Sequence, residues 1–110
     1  MNMPAPIADL TADRLAGRIR EWVAVETPPH DRPRLTEFAE MAVDEARTLG
    51  LDVEIVSVGK EGLPLVRIAA RGTTAEKPVL VLGHYDTVHP VGTVERNKLR
   101  VEGEKLFGPG

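Results

Sequence analysis

Apolar residues follow a helical period in the first half of the chain and an alternating one in the second. Leu15, Ile19, Trp22 and Val23 fall at i, i+4, i+7 and i+8, which predicts an amphipathic helix over about 9–25. Asp9 or Thr11 is placed to cap it, and residues 1–8 read as a loose arm before it. The stretch Thr27-Pro28-Pro29-His30-Asp31-Arg32-Pro33 breaks the pattern. A second helix is expected over about 33–49, with Leu35, Phe38, Ala39, Ala42, Ala46 and Leu49 on one face. Gly50 then stands where a left-handed C-cap belongs.

Strand signals take over after Gly50. Leu51, Val53 and Ile55 alternate with Asp52 and Glu54, so a strand near 51–57 has one wet face and belongs near a sheet edge. Gly59-Lys60-Glu61-Gly62 is a turn, and a second strand near 64–70 follows with Arg67 toward solvent or the rim. Val79 to Leu82 is uniformly apolar, the pattern of a strand near 78–83 covered on both faces. A small hairpin over 98–107 turns around Glu102-Gly103-Glu104-Lys105.

This order predicts an α/β fold, part of a mixed sheet with two amino-terminal helices. A strand buried on both faces needs helices on both sides, and two helices barely cover one. The chain is therefore expected to be part of a larger domain with a covering layer missing, stopping at Gly108-Pro109-Gly110 inside a loop signal.

Composition narrows the function classes. The chain of 110 residues is 42% hydrophobic and 28% charged, the profile of a globular protein rather than a disordered one. A net charge of −3 with both signs scattered is unlike a nucleic-acid binder, which carries a basic stripe. The longest apolar run, Val79 to Leu82, is too short to span a membrane. No secretory pattern is visible at the start, so a cytoplasmic location is expected. With no cysteine, a metal must be held by histidine and carboxylate.

The chemistry concentrates in Gly83-His84-Tyr85-Asp86-Thr87-Val88-His89-Pro90. Ligands of open α/β sheets bind just beyond the carboxyl ends of strands, where this segment follows the apolar run. His84 and Asp86 are two residues apart, so an extended backbone points both to one face. A metal-ligating histidine commonly donates its other ring nitrogen to a carboxylate. On spacing alone, His-x-Asp is also a common hydrogen-bonded surface feature. Asp86-Thr87 occurs in aspartic proteases and Asp after an apolar strand in phosphotransferases, but Val88 replaces the glycine or second Asp those chemistries use.

The run from Val79 through Gly83-His84-Tyr85-Asp86-Thr87-Val88 resembles the first signature of the co-catalytic zinc exopeptidases. That family includes aminoacylase, acetylornithine deacetylase, succinyl-diaminopimelate desuccinylase and glutamate carboxypeptidase. The stretch Leu99 to Gly110 is similar as well, most closely to the glutamate carboxypeptidase (carboxypeptidase G) branch, with Gly108-Pro109-Gly110 matching the lead-in to the second signature. The resemblance implies that His84 is a zinc ligand and that Asp86 is the active-site carboxylate orienting it. It implies two zinc ions and hydrolysis of an amide bond next to a free carboxylate, in a small peptide or an N-acyl amino acid. The remaining ligands, the general base, and the lid domain through which such enzymes form homodimers would lie beyond Gly110. By itself this chain is then expected to be inactive.

Other residues read blandly. His89 is a solvated loop histidine, His30 an exposed residue of the Pro-rich linker, and Trp22 part of the apolar stripe of the first helix. Glu37, Glu40, Asp44 and Glu45 form the wet face of the second. A different class of reading is a non-catalytic fragment or degenerate relative that only binds a partner. The two diverge on whether the gene continues past Gly110 into the missing active-site residues.

Overall fold

In the computed structural model, which describes residues 10–110, Asp31 caps the helix that supplies the core. Its carboxylate accepts from the Arg34 N–H at 3.2 Å, and Pro33 sits in the first turn, where a missing N–H costs nothing. The elements are α1 (Ala12–Ala24), α2 (Arg32–Thr48), β1 (Asp52–Val58), β2 (Leu63–Ala69), α3 (Thr93–Arg96), β3 (Arg100–Glu102) and β4 (Lys105–Phe107). They form an α/β arrangement in two units, one from Thr27 to Val88 and one joining the residues up to Glu26 with His89–Gly110.

In the unit from Thr27 to Val88, α2 lies against both β1 and β2 and buries Leu35, Phe38, Ala39, Val43 and Ala46. Full burial of a side chain such as Leu35 or Val43 contributes about 1.5–3 kcal/mol. Val43 takes a core place, whereas Leu49, expected on that face, is 71% exposed. The helix ends in a Schellman motif: Gly50 at φ 71° donates to the Arg47 carbonyl and Leu51 to the Ala46 carbonyl. β1 and β2 pair antiparallel from Asp52↔Ala69 to Val58↔Leu63, joined by the turn at Gly59 and Gly62, both at positive φ. Arg67 faces solvent and pairs with Glu54 across the strands at 2.8 Å.

The segment 78–83 corrects the sequence expectation. It joins no ladder, and Val79, Leu80, Val81 and Leu82 are 78–89% exposed. Pairing is a property of neighbours: β1 and β2 bond each other, and among the described residues no strand pairs with 78–83. The expected mixed sheet is accordingly replaced by two separate antiparallel pairs.

In the other unit, Thr11 caps α1 through the Arg14 N–H at 3.3 Å; Asp9 and the arm over 1–8 lie outside the described residues. α1 buries no residue, and Trp22, expected in the core, is 39% exposed. Among the described residues, the other elements of its unit are a one-turn helix and a hairpin of two three-residue strands. Gly92, the N-cap of α3, brings no side chain of its own. Glu26 supplies the missing acceptor, taking the Gly92 N–H at 2.9 Å and the Val94 N–H at 3.0 Å. β3 and β4 pair from Arg100↔Phe107 to Glu102↔Lys105 around Gly103 at φ 61°, within the predicted hairpin. No described helix is long and apolar enough to cross a membrane.

Candidate functional site

Because 78–83 is unpaired, the segment carrying His84 and Asp86 is fixed by other means. Thr27, 2% exposed, binds it on both sides of Asp86. Its hydroxyl donates to the Tyr85 carbonyl at 2.5 Å, and its own carbonyl accepts from the Thr87 N–H at 2.7 Å. The Tyr85 ring stacks on Phe38 with centroids 5.0 Å apart, and its hydroxyl donates to the Pro64 carbonyl. Burial, then the nearby Asp86 charge, pushes the Tyr85 hydroxyl above its ordinary pKa, so it remains a donor. A core helix, a strand and Thr27 thus hold the backbone around Asp86.

On that backbone, the His84 Nδ1 lies 3.1 Å from Asp86 Oδ1 and 3.1 Å from the Asp86 carbonyl oxygen. A carbonyl oxygen only accepts, so Nδ1 carries the hydrogen. The lone pair of the neutral ring is then on Nε2, the atom available to a metal. The pair is open to solvent, with the His84 side chain 84% exposed and that of Asp86 49%.

His84 and Asp86 line a cleft of about 360 Å³, within the size range of small-molecule sites. Its apolar wall includes Val58, Leu63 and Leu65. A second histidine lines it, His30, expected from the sequence to be only an exposed residue of the Pro-rich linker. His30 Nδ1 is 2.6 Å from Glu61 Oε2 in the β1–β2 turn. The Glu61 hydrogen bond and charge, assisted by Asp86, raise the His30 pKa. Thr27 and His30 both escaped the sequence because their partners are 58 and 31 residues away. The one available signal was a histidine at a turn position that favours glycine. His89 is half-buried, belongs to the other unit and is not among the residues lining the cleft.

Among the described residues, no three His, Asp or Glu side chains come together to hold a metal ion. The donor chemistry of His84 fits one ligand position, and a catalytic zinc needs at least three from protein.

The chain is similar to the Beta-Ala-His dipeptidase of Mus musculus, 32% identical over 92 residues covering 71% of this chain and 19% of the relative. It is similar to the Beta-Ala-His dipeptidase of Rattus norvegicus at 30% identity over the same coverage. The chain therefore spans about a fifth of the length of these curated relatives, which are peptidases by name. They lend no support to the narrower glutamate carboxypeptidase branch. No family model and no solved structure matches the chain.

Proposed function

We propose that this chain forms the amino-terminal part of the catalytic domain of a zinc-dependent peptidase. The observation that carries the reading is the His84–Asp86 contact, which leaves the imidazole lone pair on Nε2 of a residue lining the cleft. The similarity to dipeptidases supports a small peptide as the substrate, with an N-acyl amino acid as the related alternative.

In this reading His84 Nε2 is one zinc ligand. Asp86 accepts from Nδ1–H, which fixes the ring's tautomer and orientation and raises the basicity of Nε2. Zinc, when bound, supplies Lewis acidity that polarises the scissile carbonyl. Thr27 and Tyr85 keep the Asp86 backbone in register, and the apolar wall excludes water from one side of the substrate.

The test is the complete gene product loaded with zinc and offered β-Ala-His, other dipeptides and N-acyl amino acids. Hydrolysis that a chelator abolishes, zinc restores and His84→Ala eliminates is the expected result. A complete protein that hydrolyses none of them, or that keeps its activity in His84→Ala, contradicts the reading.

A further inference from the structure

We propose that His30 is a substrate-binding residue of the same cleft, its Nε2–H donating to an oxygen acceptor of the bound peptide. The inference rests on the peptidase reading and adds to it a residue outside the His84–Asp86 motif. Three observations converge on it.

First, His30 lines the cleft together with His84 and Asp86. Second, its ring is oriented. Glu61 Oε2 lies 2.6 Å from Nδ1, and a carboxylate oxygen at that distance takes the Nδ1–H. The Glu61 charge, with that of Asp86 behind it, favours a proton on Nε2 as well, leaving Nε2–H as the ring's remaining donor.

Third, the backbone at His30 is in a conformation its side chain does not favour. Asp31 N–H closes on the Pro28 carbonyl at 3.3 Å, and His30 occupies the third position of that turn at φ 63°. It is the one non-glycine among the described residues with positive φ. Gly or Asn suits this position, with Pro before it, as Pro29 is here. The turn does not need an imidazole, and strained side chains persist where they are used. A surface clamp to Glu61 accounts for the ion pair but not for the choice of a strained histidine facing the cleft.

The experiment measures kcat and KM for β-Ala-His in the zinc-loaded complete protein. His30→Asn keeps a residue that tolerates the left-handed turn and removes the imidazole. The expected result is a KM raised about tenfold, with kcat changed less than threefold and melting temperature and zinc content unchanged. His30→Gln, which keeps an N–H donor on a side chain of similar reach, recovers part of the KM loss. Glu61→Gln, which keeps the fold and frees the ring, raises KM to a smaller extent, and it decides the matter if His30→Asn does not fold. Wild-type KM in His30→Asn, or in Glu61→Gln where that variant decides, overturns the inference while the peptidase reading stands. A wild-type protein that hydrolyses no peptide overturns both.

Discussion

The Thr27 hydroxyl donates to the Tyr85 carbonyl at 2.5 Å, joining the residue before Pro28-Pro29 to the residue before Asp86. Thr27→Val keeps the shape and deletes the donor, so the carbonyl loses its buried partner. The expected loss is about 1–3 kcal/mol. Thr27→Ser keeps the hydroxyl and loses one methyl, costing about 1 kcal/mol or less. Urea denaturation of both variants checks the order, and a Thr27→Val midpoint equal to wild type removes Thr27 from the support of the site.

Two glycines predict opposite signs for the same substitution. A Cβ at Gly50 or at Gly17 meets nothing within 4 Å, so only the backbone matters. Gly50 is at φ 71°, and Gly50→Ala is expected to destabilise by about 1–2 kcal/mol. Gly17 lies inside α1, and Gly17→Ala is expected to stabilise by about 0.5–1 kcal/mol. Helicity and denaturation midpoints read both, and equal effects would contradict the two conformations.

These helices were legible because their signals are local: the 3.6-residue stripe, the cap at Thr11, and the glycine stop at Gly50. The turns at Gly59 to Gly62 and at Gly103 were legible for the same reason. The pairing of 78–83 was not, since a strand's neighbours are set by distant segments and an apolar run says only that it suits burial. Val43 was missed because a purely helical template does not tell which edge of the stripe the strands cover. Within the site, the nearness of His84 to Asp86 followed from two-residue spacing. The Thr27 and Tyr85 anchors and the His30–Glu61 pair depend on the tertiary fold and left little trace in the sequence.

The His30–Glu61 pair predicts a pH dependence with a definite sign. The His30 pKa is raised in the folded chain, chiefly by the Glu61 hydrogen bond. The pair's stabilisation is therefore fully present below the ordinary histidine value of about 6.5 and is lost as pH rises through the higher folded value. Ring-proton NMR should show His30 titrating above 6.5 in wild type and closer to it in Glu61→Gln. A wild-type midpoint at or below 6.5 contradicts the contact.

The 110-residue chain by itself should bind zinc weakly. Structural zinc sites reach about 10–16 kcal/mol with a full ligand set. Here the proposed site offers one ligating imidazole, that of His84, and no cluster of three ligating side chains forms among the described residues. Calorimetry should find no sub-micromolar binding, and sub-micromolar binding lost in His84→Ala would show that the chain assembles more ligands than His84.

The most direct measurement is anomalous diffraction at the zinc edge from crystals of the complete protein. The account predicts a zinc about 2.0–2.1 Å from His84 Nε2, with Asp86 remaining on the Nδ1 side of the ring. A zinc bound through Nδ1, or a metal centre from which His84 is absent, would contradict it.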